Sequence, residues 1–140
     1  MIHEVTIAFT VAGKNGEGKT VKEQYLVDNR NLFAEVEDAM YVGFDGYKDL
    51  DVIAVKRSKL KEIVNEKPFN DESCKIYIAQ IVDHFVDLET EETKDIKYSV
   101  ALFAHDMNEA HKTIEQYIKQ GLEDMDLVSI KETNYNNVLR

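Results

Sequence analysis

The stretch Asp51-Val-Ile-Ala-Val-Lys-Arg-Ser-Lys-Leu-Lys-Glu-Ile63 returns in outline as Asp126-Leu-Val-Ser-Ile-Lys-Glu-Thr-Asn-Tyr-Asn-Asn-Val138. Asp51 meets Asp126, Lys56 meets Lys131, and Val52, Ile53 and Val55 meet Leu127, Val128 and Ile130. Such an echo constrains the fold, because a repeated pattern is most simply one supersecondary unit built twice.

The segments before each copy agree. Val5, Ile7, Phe9 and Val11 alternate with Glu4, Thr6, Ala8 and Thr10, which predicts a half-buried strand. A glycine-rich turn follows, and Val21–Val27 predicts a second strand and a hairpin. Phe33, Val36, Met40 and Phe44 stand at helical spacing, with Glu35, Glu37 and Asp38 outward and Gly43 and Gly46 as stop signals. The third strand is residues 51–56. In the second half, Ile76–Val82 is laid over Val5–Val11, and Ile96, Tyr98, Val100 and Leu102 alternate as its partner. Asp106 followed by Glu109 is a capping-box pattern, Met107, Ala110, Ile114, Tyr117 and Ile118 form an apolar stripe, and Gly121 closes the helix. Ile76–Val82 is apolar on both faces, which places it centrally.

The predicted fold is therefore α+β: two tandem ββαβ units with antiparallel sheets, one helix packed on each, related by a pseudo-twofold duplication. The first repeat is set at residues 1–64, a linker at 65–73 and the second repeat at 74–140, in one compact domain. Leu60, Ile63 and Val64 allow a helical turn from Ser58, and Pro68 with Asn70-Asp71 marks the boundary. Burying a Val, Ile or Phe side chain contributes about 1.5–3 kcal/mol, so Phe33, Val36, Ile114 and Ile118 are expected to dominate stability.

Charge narrows the function classes. The formal net charge is −10, and residues 71–140 hold 15 acidic against 7 basic side chains. That balance disfavours general duplex-DNA binding, which draws on Lys and Arg. No apolar run approaches the ~20 residues of a membrane span, and Met1-Ile-His-Glu-Val5 lacks the features of a signal peptide. A single cysteine, Cys74, forms no internal disulfide and suits a reducing cytoplasm.

Gly13-Lys-Asn-Gly-Glu-Gly-Lys-Thr20 matches the phosphate-loop pattern G-x-x-x-x-G-K-[ST]. That chemistry requires a helix N-terminus directly after the loop, whereas residues 21–27 alternate as a strand, so a hairpin tip is expected. An enzyme using Lys19 and Thr20 on a nucleotide is the weakest reading of the chain. His3, His84, His105 and His111 show no metal-ligand spacing, and surface or cap positions are expected for them. Cys74 has no base near it in sequence and reads as a core or edge residue. No catalytic, cofactor-binding or metal-binding residue is assigned, and no cofactor is expected. Glu89, Glu91 and Glu92 make an acidic hairpin tip, read as solvated, as cation-binding or as a mimic of nucleic-acid phosphates. Lys56, Arg57, Lys59 and Lys61 form the one basic cluster, an edge-strand guard or a contact for a partner or for single-stranded nucleic acid, with Tyr41, Phe44 and Tyr47 near in sequence.

Taken whole, the chain resembles an uncharacterised two-repeat family, a domain of unknown function of gut bacteria and their phages. The residues that carry the resemblance are Tyr25-Leu-Val-Asp28 before a helix with Glu35 early in it, Val55-Lys-Arg-Ser-Lys-Leu60, Ala104-His-Asp-Met-Asn-Glu-Ala110 and Ile130-Lys-Glu-Thr133. The family pattern has a small hydroxyl cap before the first helix aromatic. Leu32 stands there in this chain, so Asn31 or Asp28 is expected to cap. The resemblance implies a phage or mobile-element setting and no enzymatic role. The resulting expectation is a non-catalytic cytoplasmic module that binds a protein partner, with single-stranded nucleic-acid binding and acidic anti-defence mimicry as alternatives, and no membrane association.

Overall fold

In the computed structural model, residues 1–67, 71–121 and 124–140 are described. Strands β1 (His3–Ala12) and β2 (Gly18–Val27) form a hairpin, followed by helix α1 (Phe33–Gly43), β3 (Lys48–Arg57) and β4 (Leu60–Ile63). The same order then recurs: β5 (Lys75–Val86), β6 (Thr93–Ala104), α2 (Met107–Gln120), β7 (Asp124–Glu132) and β8 (Tyr135–Leu139). Helices and strands thus make an α+β fold. No described helix is long and apolar enough to cross a membrane.

The strands form two sheets, ordered β3-β1-β2-β8 and β4-β6-β5-β7. In the first, β2 and β3 both run antiparallel to β1 and hence parallel to each other. Parallel strands need a crossover connection, and α1 supplies it. β6, α2 and β7 repeat that arrangement around β5. The expected central place of β5 is seen: it is hydrogen-bonded on both sides, and Ile76, Tyr77, Ile81 and Val82 are buried on its alternate faces.

The sheets are mixed, which corrects the expectation of purely antiparallel ones. β8 adds to β2 in parallel and β4 adds to β6 in parallel. Residues 60–63 are thus strand where a helical turn was expected, and Tyr135–Leu139 is a further strand. Both are edge strands of four and five residues, too short to show a period. Asn65 then prolongs the β4 ladder: its side-chain amide donates to Phe103 O at 2.8 Å, and its Oδ1 accepts from Phe103 N at 2.7 Å.

These additions regroup the chain. One compact unit is Met1–Ser58 with Tyr135–Arg140, the other Lys59–Asn134. Residues 59–64, set with the first repeat on sequence, belong to the second unit, and 135–140 belong to the first. The boundary signals Pro68 and Asn70 lie outside the described residues.

Both units carry a β-bulge. The β1–β3 register steps from Thr6↔Ala54 to Ile7↔Val52, leaving Ile53 unpaired. The β5–β7 register steps from Gln80↔Ser129 to Ile81↔Leu127, leaving Val128 unpaired. Ile53 and Val128 are the paired positions of the sequence echo, and both face outward at 45% and 52% exposure. The bulges align Thr6 with Gln80, so Val5 corresponds to Ala79. The overlay of Val5 on Ile76 is therefore displaced by three residues, because Ile76–Val82 is apolar on both faces and matches an alternating strand at odd offsets too.

In the first unit Val5, Ile7, Tyr25, Val27, Val36 and Met40 close one core. In the second, Tyr77, Ala79, Ile81, Val100, Leu102, Ala110 and Ile114 close another, with Tyr117 and Ile118 packed at its rim. Phe33 departs from expectation: it is 49% exposed, its ring meeting the His3 ring edge-on at 5.6 Å. Leu32 occupies the α1 N-cap without a side-chain cap, so neither Asn31 nor Asp28 caps the helix. Asp28 Oδ1 instead accepts from Asn29 N, and the Glu35 carboxylate accepts from Asn31 N. In α2, Asp106 caps as expected, accepting from Glu109 N at 2.8 Å, and Gly121 is the C-cap.

The fully buried Ile114 and the half-exposed Phe33 separate core from surface. Ile114→Ala is expected to destabilise the chain by about 2–5 kcal/mol, the range for a buried Ile-to-Ala change. Phe33→Ala should cost about 1 kcal/mol or less, since half of its surface is already in water. Urea unfolding followed by circular dichroism measures both.

Candidate functional site

Pairing in the β5–β6 hairpin juxtaposes residues far apart in sequence. Lys75 pairs with Ala104, so the next residues outward, Cys74 and His105, lie across from each other. Cys74 Sγ is 3.5 Å from His105 Nε2. The turn before β5 brings Asp71 to the same point: its Oδ2 lies 2.5 Å from His105 Nε2 and 3.7 Å from Cys74 Sγ. Its Oδ1 accepts from Ser73 N at 3.0 Å and from Ser73 Oγ at 2.5 Å, which fixes the carboxylate plane. On the far side of the ring, His105 Nδ1 lies 2.8 Å from the Glu109 carboxylate, one helical turn on. That contact occupies the side chain that a full capping box would turn back to the N-cap N–H.

The electrostatics follow from this packing. His105 stands between two carboxylates, and only imidazolium has an N–H for each, so hydrogen bonds to Asp71 and Glu109 raise its pKa. Hydrogen bonds from Ser73 and His105 hold the Asp71 carboxyl well below the ordinary range. Burial, then the Asp71 charge, pushes the Cys74 thiol up. A nucleophilic cysteine relies on the opposite shift. Asp71, Cys74 and His105 can instead present one ligand atom each to a metal ion.

A second histidine pair lies nearer the hairpin tip. His84 is registered with Asp95, their Nδ1 and Oδ1 2.6 Å apart, while His84 Nε2 meets Asp126 Oδ2 at 2.9 Å. One ring thereby ties β5 to both neighbouring strands, and those hydrogen bonds raise its pKa. His111 pairs with Glu115 along α2. His3 corrects the surface expectation. It is fully buried, neither ring nitrogen has a hydrogen-bond partner among the described residues, and burial followed by the nearby Arg57 charge lowers its pKa.

The hairpin itself ends in an ordered acidic turn. Asp87 N donates to Glu92 O, Glu91 N to Asp87 O and Glu89 N to Asp87 Oδ1, and Lys94 pairs with Asp87 at 3.0 Å. Held on this frame, Leu88 is 92% exposed, with Phe85 and Val86 also exposed below it.

The basic cluster is divided between the units: Lys56 and Arg57 end β3, while Lys59 and Lys61 belong to the second. Lys56 pairs with Glu4 at 3.6 Å, and Lys61 lies 4.2 Å from the Tyr98 ring centroid. Of the neighbouring aromatics, Phe44 packs between Tyr25 and Tyr47, and the Tyr41 hydroxyl accepts from Val52 N. The loop at 13–17 is a hairpin tip, as expected. Gly13 N donates to Glu17 O and Gly16 N to Gly13 O, and Gly18, Lys19 and Thr20 already belong to β2. Those N–H groups are spent on the turn, and no helix follows to receive a phosphate.

Sequence reasoning missed Asp71 and the approach of His105 to Cys74. Only part of the signal was present: the four-residue spacing of His105 and Glu109 stacks them on one helical turn, whereas the predicted strands set Val82 against Ile96, one residue short of the observed Val82–Lys97 pairing that brings Cys74 opposite His105.

The domain-of-unknown-function family DUF4494 matches residues 1–140, and the chain belongs to it. No curated protein matches the chain.

The His84 contacts predict a pH dependence with a definite sign. Because the folded-state pKa is raised above the unfolded value of about 6.5, the stabilisation is fully present below that value. It is lost as pH rises through the folded pKa. Melting temperatures of the wild type and His84→Gln should therefore differ most at mildly acid pH and converge on the alkaline side. A constant difference across the range would show that the ring acts by packing alone.

Proposed function

We propose that this protein is a non-catalytic module that binds a protein partner, and that the β5–β6 hairpin tip is its contact element. The carrying observation is Leu88: a large apolar side chain left in water on a turn held by backbone hydrogen bonds and an ion pair. Isolated apolar residues on a surface are ordinary. This one continues into exposed Val86 and Phe85 and is framed by Glu89, Glu91 and Glu92, also exposed. An apolar anchor with a charged rim is the anatomy of a binding contact, and the acidic rim suits a partner whose apolar pocket is edged with Lys and Arg. The local pairing of Lys56 and Lys61 makes the basic cluster a weaker contact surface.

Two further readings belong with this proposal. The shared strand order, with β3, β1, β2 and β8 standing where β7, β5, β6 and β4 stand, and the matching bulges support descent from a duplicated ββαβ unit. The family resemblance supports a phage or mobile-element setting, and the single Cys74 suits a location in the reducing cytoplasm of the host.

The test is capture from host lysate on the immobilised full chain, with Leu88→Asp in parallel. A stoichiometric protein should be retained by the wild type and lost by the variant, whose melting should be unchanged. An anchor of this kind contributes about 2 kcal/mol or more, roughly 30-fold in Kd. Equal capture by both chains would move the contact elsewhere, and no capture from several lysates would count against protein binding. Displacement of the partner by a single-stranded oligonucleotide would identify the tip as a phosphate mimic. Direct oligonucleotide binding that falls steeply with salt and is lost in Lys56→Glu and Arg57→Glu would favour the basic cluster instead.

A further inference from the structure

We propose that Asp71, Cys74 and His105 form a binding site for a zinc-type transition-metal ion, with Glu109 and Ser73 as its orienting shell. Three chemically different donors converge here: a carboxylate oxygen, a thiol sulfur and an imidazole nitrogen. With ordinary zinc bond lengths, a tetrahedral ion needs about 3.6 Å between sulfur and either neighbour and about 3.3 Å between nitrogen and oxygen. The sulfur separations are 3.5 Å to His105 Nε2 and 3.7 Å to Asp71 Oδ2. Only the nitrogen–oxygen pair, at 2.5 Å, is too close. It now shares a proton, and an ion taking the place of that proton needs the two atoms to part by about 0.8 Å.

The surroundings are those of a metal site as well. A ligating histidine characteristically donates its other ring N–H to a carboxylate, and Glu109 accepts in that way from His105 Nδ1. Asp71 is oriented through its Oδ1 by Ser73, leaving Oδ2 toward the ligand point. A thiolate and a carboxylate neutralise a divalent ion, and the thiolate–imidazole pair favours zinc over magnesium or calcium. Three protein ligands leave a fourth position for water or a partner's side chain. The His84 cluster provides the contrast. Its two carboxylates lie on opposite ring nitrogens, so they cannot meet with the imidazole at one ion. Bound metal would clamp the turn before β5 to the start of α2, joining segments that the sheet ladder itself does not connect.

The test uses Co²⁺ as a spectroscopic probe on the reduced full-length chain. One equivalent should give the visible bands of tetrahedral Co²⁺ and a near-ultraviolet thiolate charge-transfer band, both bleached by one equivalent of Zn²⁺. Cys74→Ser should abolish the charge-transfer band. Glu109→Gln should weaken Co²⁺ binding by about 10–100-fold while far-ultraviolet circular dichroism stays unchanged. His84→Gln should leave the spectrum and the affinity as in the wild type. Zn²⁺ should raise the melting temperature of the wild type and not that of His105→Ala. A folded wild type without a thiolate band, or with affinity that follows His84 and not Glu109, would overturn the proposal. Should Cys74→Ser fail to fold, the Glu109 and His84 variants decide it.

Discussion

Each sheet depends on the strand that is hydrogen-bonded on both edges along most of its length: β1 in the first unit, β5 in the second. A strand in that position satisfies its backbone donors and acceptors on either side, and it sets the direction of everything around it. Its hairpin partner must run back. The third strand also runs back, so the chain must cross over the central strand between them, and the apolar stripe of the helix covers that crossing. The cores formed by Val5, Ile7, Val36 and Met40, and by Ala79, Ile81, Ala110 and Ile114, are the product of this constraint. The bulges at Ile53 and Val128 interrupt the pairing where the outer strand turns, and each leaves an apolar side chain facing outward. Bulges and charged ends on β3 and β7 also make these edges poor templates for a further strand.

The long elements were legible in the sequence because period and length agree. Val5, Ile7 and Phe9 read as a strand, and Ala110, Ile114 and Ile118 as a helix face, for reasons that the packing bears out. What failed was register and the short edges. A strand apolar on both faces, such as Ile76–Val82, matches an alternating strand at odd as well as even offsets, so its overlay on Val5–Val11 falls three residues out of place. Leu60–Ile63 offers apolar residues at i and i+3, which a helical turn and an edge strand share. Phe33 was read as core from its spacing, but the stripe on α1 is buried only at Val36 and Met40. His3 shows the converse, a polar residue inside: period two carried back from Val5 puts it on the inward face, against the surface position that its polarity suggests.

The candidate site was illegible for a different reason. Its groups meet through pairing in a hairpin, and motif spacing records only neighbours along the chain. Cys74 and His105 are 31 residues apart and become opposite through the register that begins at the Asp87–Glu92 turn. The glycine-rich match at Gly13–Thr20 shows the reverse case, where letters agree and geometry does not. Its glycines close a turn and its lysine lies in a strand. A motif carries its chemistry only in the backbone context that points its N–H groups at the ligand.

The exchange of edge strands has a consequence for synthesis. Strand β8, which completes the sheet of the first unit beside β2, is made after every other described element. Strand β4, which completes the second sheet, is made before any other strand of that sheet. The earlier unit must therefore wait with one edge of β2 unpaired until β5, β6, α2 and β7 have all been made, while the later unit finds its edge strand already made. Cutting the chain between β4 and β5 would therefore yield two fragments that each hold a strand belonging to the other's sheet.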